Sequence, residues 1–206
     1  MPRVLLVMAL LALAGAACSR APLGDGLPAN LDCTGCHGRN GDPTPPPAVD
    51  GTTDTESIGV GAHQAHMLGS ALAGPVPCFE CHVLPLAANG TDHPDPSGQP
   101  AAVVWGPVAT HDSASPAWER SGRTCAGTYC HGSTLRGGSE RPAPVWTRVD
   151  GSQIKCDSCH GNPPGGTHPQ DSRCEFCHGE VVSAGGVITN PNLHVDGTLQ
   201  MVWTLP

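Results

Sequence analysis

Only one stretch of the chain is continuously apolar. It runs from Val4 to Ala14, 11 residues, behind Arg3 and ahead of Gly15-Ala16-Ala17-Cys18. A helix that short rises about 17 Å, well below the about 30 Å of hydrocarbon in a bilayer. A positive start, a short apolar segment and small residues before a cut describe an export signal, not a membrane span. No later stretch reaches 18 apolar residues, so no transmembrane helix is predicted. Beyond the signal, apolar positions are sparse and the elements they predict are short. A helix is expected to carry His63 and His66, with Ser57 as its cap and Gly69 as its stop. Val103-Val104 and residues 200–203 read as short edge strands, and 42–47 and 162–166 as turns. The expected fold class is mostly irregular, with short α-helices and little sheet.

Composition sharpens the problem. Leu, Val, Ile and Phe make up about 16% of residues 18–206. That is below the roughly 20% at which a chain can be expected to fill a protein-only core. Gly 27 and Pro 22 together approach a quarter of the 206 residues. An ordinary enzyme domain with an aliphatic interior does not fit these proportions. Either the chain is largely disordered, or something other than side chains fills its interior. The net charge of −8 is scattered, which leaves no footprint for nucleic acid or anionic lipid.

The cysteines decide between these readings. Cys18 stands where a bacterial lipoprotein carries its lipidated cysteine, and residues 18–30 read as a tether behind a 1–17 signal peptide. Several acyl chains on one cysteine would anchor the protein to a membrane. The other ten cysteines form five pairs, each followed at once by His. Four are Cys-x-x-Cys-His: Cys33/Cys36 with His37, Cys78/Cys81 with His82, Cys156/Cys159 with His160, and Cys174/Cys177 with His178. The fifth is longer, Cys125/Cys130 with His131. Cys-x-x-Cys-His is the attachment signature of c-type haem. Two thiols reach the two vinyl groups on one porphyrin edge, and the adjacent His swings under the ring to bind iron. Zinc or disulfides are the competing readings. Zinc sites, however, need no His after every second Cys, and pairs spaced by two make poor long-range staples. The expected cofactors are five covalently bound haem c groups, one per about 38 residues of the mature chain. Stacked haems would then build the core, and without them the chain is not expected to fold. Each motif should sit on a helical turn.

Five proximal His leave His63, His66, His93, His111, His168 and His194. Only Met67 and Met201 survive signal removal, so bis-His irons of low potential are expected. Two segments share one order: motif, His, motif, His, apolar-Val-Trp. Residues 31–105 form the first copy and residues 151–206 the second. The insert 106–150 carries the longer motif, and all three lie in one pentahaem domain, 31–206. The second copy offers His168 and His194. The first offers His63, His66 and His93, one of which can serve the inserted haem, and His111 is left over. His63 and His66, three apart on a helix, could serve two different haems. Met67 reads as packing, and Trp105, Trp118, Trp146 and Trp203 as residues that pack on porphyrin edges.

The segment Cys125 to Gly197 resembles the multihaem c-type cytochromes of metal-respiring bacteria that carry a repeated Cys-x4-Cys-His then Cys-x2-Cys-His domain. The matching residues are Thr128-Tyr129-Cys130-His131-Gly132, Pro144-Val145-Trp146, Cys159-His160-Gly161-Asn162-Pro163-Pro164, Thr167-His168-Pro169, Cys177-His178-Gly179 and Leu193-His194-Val195-Asp196-Gly197. Gly61-Ala62-His63-Gln64-Ala65-His66 before Cys78 is similar to such proteins too. The resemblance implies an exported electron-transfer protein, an outer-membrane lipoprotein or cell-surface protein, alternatively periplasmic. Its expected partners are periplasmic or outer-membrane cytochromes and extracellular metal acceptors. The histidines suffice to close every iron, so electron transfer is favoured over enzymatic chemistry. A reductase with one five-coordinate iron, at Cys125/Cys130 if His93 does not reach it, is one alternative. A conductive filament of stacked subunits is another.

Overall fold

Short turns, not long elements, carry this chain. The computed structural model describes residues 37–85, 100–137 and 143–202. The export signal, Cys18, the tether, Cys33, Cys36, His93 and Trp203 lie outside the described residues. Glycine and proline are too frequent for helices to propagate, because each removes helix stability that neighbours must replace. Among the described residues the longest helix, α1, accordingly spans only His63–Leu68, and α2 spans Glu175–His178. Single 3-10 turns lie at Cys78–Glu80, His111–Ser113, Tyr129–His131 and Pro191–Leu193.

Two antiparallel hairpins complete the regular structure. β1 (Ala117–Glu119) pairs with β2 (Thr124–Ala126), placing Trp118 opposite Cys125. β3 (Val182–Ser183) pairs with β4 (Val187–Ile188) across Gly185 and Gly186, both with positive φ. The fold is thus mostly irregular, with short helices and little sheet. Among the described residues no helix is long and apolar enough to cross a membrane.

Two local expectations need correction. Ser57 does not cap α1: the N-cap is Ala62, with no side-chain cap bond. Instead the Ser57 carbonyl accepts from the N–H groups of Val60 and Gly61, so a turn leads into the helix. Gly69 does end it, at φ 68°. The second correction concerns Val103-Val104 and residues 200–202, which form no strand. Each places one valine against a cysteine motif: Val104 N–H donates to the Cys81 carbonyl (3.0 Å) and Val202 N–H to that of Cys177 (2.8 Å). A single bond per segment closes no ladder, but in both segments it runs to the second cysteine of a motif.

Side-chain burial is slight. The buried apolar residues among those described are Ala48, Val60, Ala109, Val181 and Val182, and of these only Val60 is sealed to 1% exposure. Glu80, between Cys78 and Cys81, holds that motif to the insert through polar contacts. It is 3% exposed. Its Oε2 accepts from the backbone N–H groups of Val108 and Ala109, both at 3.1 Å. Its own carbonyl accepts from Gly106 N–H at 3.1 Å. A carboxylate between Cys78 and Cys81 therefore caps the turn that opens the insert.

Removing that carboxylate leaves two donors short of an acceptor. An unsatisfied buried donor costs about 1–3 kcal/mol, so Glu80→Ala is expected to destabilise the haem-loaded protein by about 2–4 kcal/mol. Glu80→Gln, which retains an acceptor oxygen, should lose less. Denaturant midpoints measure both; an Ala variant as stable as the parent would refute the clamp.

Candidate functional site

Each described cysteine motif closes a tight turn, though not always a helical one. In the Cys78 and Cys174 motifs the histidine N–H returns to the first cysteine's carbonyl, His82 to Cys78 at 2.9 Å and His178 to Cys174 at 2.8 Å. In the longer motif Cys125 sits in β2, Gly127 turns the chain at positive φ, and Cys130 lies in the 3-10 turn. The Cys156 motif differs from expectation: it is a turn without helix, in which Lys155 N–H donates to Ser158 Oγ at 2.9 Å. None of the eight described motif cysteines is in a disulfide. Among the described residues, no group of three or more His, Cys, Asp or Glu converges as a metal site.

The histidines instead come together in twos. His63 faces His82 with ring centres 6.2 Å apart, and His66 faces His131 at 6.3 Å. His194 faces His160 at 6.2 Å, and His168 faces His178 at 6.2 Å. Each pair joins a motif histidine to one outside any motif. The common spacing has a chemical meaning. A metal–imidazole nitrogen bond of about 2 Å, plus about 1.1 Å from nitrogen to ring centre, puts a shared metal about 3.1 Å from each centroid. Two such rings on opposite sides of one metal lie about 6.2 Å apart. The donor sets thus fit a haem iron held axially by two imidazoles.

Hydrogen bonding aims the correct nitrogen. His63 Nδ1 bonds the Val60 carbonyl (2.7 Å) and His66 Nδ1 that of Ala62 (2.9 Å). His160 Nδ1 bonds Gly161 O (2.7 Å), His168 Nδ1 Pro169 O (2.7 Å), His178 Nδ1 Gln200 O (2.9 Å), and His194 Nδ1 Leu72 O. A carbonyl only accepts, so Nδ1 must carry the proton. Nε2 then keeps its lone pair for a metal, the usual arrangement behind a metal-binding histidine.

Burial favours the neutral form of two of the paired histidines, His131 and His63. It pushes His131 down to about 4, with nearby His66 adding to the effect. His63 is lowered by burial too, and then by His82, His66 and His37, against the raising effect of its bond to Val60. A metal-ligating imidazole must be neutral, so both shifts favour ligation. Burial also pushes the Cys81 thiol up to about 12, helped by Cys125 and Cys130, and both of those thiols up to about 11.

Tertiary contacts deliver the pairs. Trp146, from the insert, lies edge-on to His63 (4.8 Å) and tilted over His66 (5.5 Å), and donates Nε1–H to the Ile58 carbonyl at 2.9 Å. It fits only because residue 61 is glycine; a Cβ there would overlap the indole. In the described contacts Trp146 seats two imidazoles. His194 reaches back across 122 positions to Leu72, beside a Gly74 N–H to Pro191 carbonyl bond of 2.8 Å. His111 joins none of the four pairs. It stacks edgewise on Tyr129 (4.7 Å), lies 3.3 Å from Asp112 and backs onto Gly197. Met67 Sδ lies 3.9 Å from Cys78 Sγ, a packing contact. Glu80 is a supporting residue that sequence reasoning missed, and the contacts of Trp146 with His63, His66 and Ile58 were not foreseen. Neither carries a local signal, since their partners lie 28 and 88 positions away.

A family model described as the Geobacter CxxxxCH...CXXCH motif matches residues 124–160, which hold the Cys125/Cys130 and Cys156/Cys159 motifs. No curated protein and no solved structure gives a match. The matched motifs are haem-binding motifs, and they support covalently attached haem c and electron transport.

If the pairs hold iron, His194→Ala should convert one centre from low to high spin, visible in the optical spectrum and in spin resonance. His111→Ala should change neither. High-spin iron in the His111 variant, or none in the His194 variant, would show the pairing to be wrong.

Proposed function

We propose that this multihaem c-type cytochrome holds five haems and passes electrons among them across or outside the cell envelope. The observation that carries the reading is the set of four imidazole pairs at one spacing, 6.2 to 6.3 Å. Cys78/Cys81, Cys125/Cys130, Cys156/Cys159 and Cys174/Cys177 would anchor four haems covalently. His82, His131, His160 and His178 would bind their irons on one face, and His63, His66, His194 and His168 on the other.

The repeat extends the reading to Cys33 and Cys36. In the second copy, the second motif's His178 faces the histidine between the motifs, His168, and the first motif's His160 faces the histidine beyond both, His194. In the first copy His82 faces His63, again between the motifs. The same order assigns His93 to His37. His66, the extra histidine, serves the insert.

Haem bound in this way supplies an iron that changes charge by one electron. His82, His131, His160 and His178, each with its partner histidine, would leave their irons no open position, which would disfavour small-molecule chemistry and hold the potential low relative to His/Met ligation. The reductase alternative rested on a Cys125/Cys130 iron without a second histidine, and the approach of His66 to His131 counts against it. Electron donors and acceptors are proposed to be periplasmic or outer-membrane cytochromes, with metal outside the cell as the terminal acceptor. The export signal and Cys18 support an outer-membrane lipoprotein. A net charge of −8, or −9 once Arg3 is removed, suits docking on basic partners.

The test is an intact mass of protein matured in a host that attaches haem. The expected value is the polypeptide from Cys18 plus five haems and the lipid on that cysteine. Fewer than four haems would overturn the reading. Cys18→Ala should release the protein from membranes with its haem complement unchanged.

A further inference from the structure

The four pairs share a spacing but not an orientation. His63 and His82 lie at 22° and His168 and His178 at 13°, so these rings are nearly parallel. His66 and His131 lie at 80° and His160 and His194 at 82°, so these rings are crossed. The rings are not free to turn. Six of the eight are tethered through Nδ1 to a carbonyl. His63 and His66 show how the chain separates the two classes. They sit on one helix against one indole, yet His63 bonds the carbonyl three residues back and His66 the carbonyl four back. Trp146 then meets the first at 87° and the second at 33°.

Ring orientation matters to a low-spin ferric haem. Its unpaired electron occupies one of two iron orbitals of π symmetry, and each imidazole raises the orbital that its own π system overlaps. Parallel rings raise the same orbital, split the pair and stabilise the ferric state. Crossed rings raise both equally. The near-degeneracy removes that stabilisation and leaves a very anisotropic magnetic moment. Axial ligation is one of the protein's levers on haem potential, and here a carbonyl fixes at least one ring of every pair.

We propose that the chain sorts its haem sites into two electronic classes through backbone anchoring of the histidines. His66/His131 and His160/His194 form crossed sites that are easier to reduce; His63/His82 and His168/His178 form near-parallel sites that are harder to reduce. The two crossed sites are neighbours in the fold. Gly132, directly after His131, takes φ 79° and lies so close to the backbone of Cys159 that a Cβ would overlap it. Helix α1 ties the His63/His82 site to one of them, and residues 156–178 tie the His168/His178 site to the other. An interior pair of better electron acceptors is thus flanked by two poorer ones. The inference rests on the haem reading above.

Spin resonance of the oxidised, haem-loaded protein tests it. The parent should show at least two irons' worth of strongly anisotropic low-field signal and at least two of ordinary rhombic low-spin signal. His66→Met should remove one iron's worth of low-field signal and spare the rhombic signal; His168→Met should do the reverse. The Cys33/Cys36 site contributes equally to parent and variants, so it cancels in the difference. Rhombic signals alone in the parent would overturn the inference even if the variants fail to fold, and leave the haem reading intact. Loss of rhombic signal in His66→Met would overturn it too. A preparation without low-spin iron would overturn both.

Discussion

An imidazole can present a lone pair in a fixed direction only if something else holds its other nitrogen. In this protein the backbone does so. His63, His66, His160, His168, His178 and His194 each bond a main-chain carbonyl through Nδ1. The consequence runs outward from that contact. It fixes the tautomer, which frees Nε2 for metal, and it fixes the ring plane, which sorts the four pairs into parallel and crossed. Four of the six carbonyls, those of Leu72, Gly161, Pro169 and Gln200, lie in irregular segments. The other two, those of Val60 and Ala62, accept both a backbone N–H and an imidazole.

The same logic explains how so loose a chain keeps its register. Five buried apolar residues among those described cannot specify one packing. Individual polar contacts of long sequence reach replace them. Glu80 grips the turn at Val108 and Ala109, Trp146 donates to Ile58, and His194 reaches Leu72. Each brings an insert or repeat residue onto the first copy. Covalent haem, attached at paired cysteines, would add large apolar plates between segments that these contacts merely align.

The repeat is expressed as chemistry more than as shape. His82 and His178 close onto Cys78 and Cys174, and Val104 and Val202 donate to Cys81 and Cys177. The near-parallel pairs, His63/His82 and His168/His178, occupy equivalent places in the two copies. Around this shared unit the copies diverge. Among the described residues only the first has a helix with two histidines, and the second of them, His66, lies against His131 of the insert.

Much of the candidate site was legible in the order of residues alone. Cysteine spacing and the adjacent histidine are local properties, fixed by the distance between two points on one porphyrin edge, so they survive in the sequence. The scarcity of aliphatic residues was equally plain, and with it the irregular fold. The repeat was visible as an order of motifs, and it identified which histidines remained to complete the sites. What the sequence could not carry was which histidine meets which. That depends on chain reversals of up to 122 residues, as at His194, and on side chains such as Trp146 and Glu80 that matter only through distant partners. Edge strands were expected at valines that in fact make one bond each, because a strand is decided by its neighbour and not by its own residues. Ring orientation was least legible of all. The anchoring carbonyl lies three or four residues back at His63 and His66, next in sequence at His160 and His168, and 22 and 122 residues away at His178 and His194, and only the folded backbone determines where the ring then points.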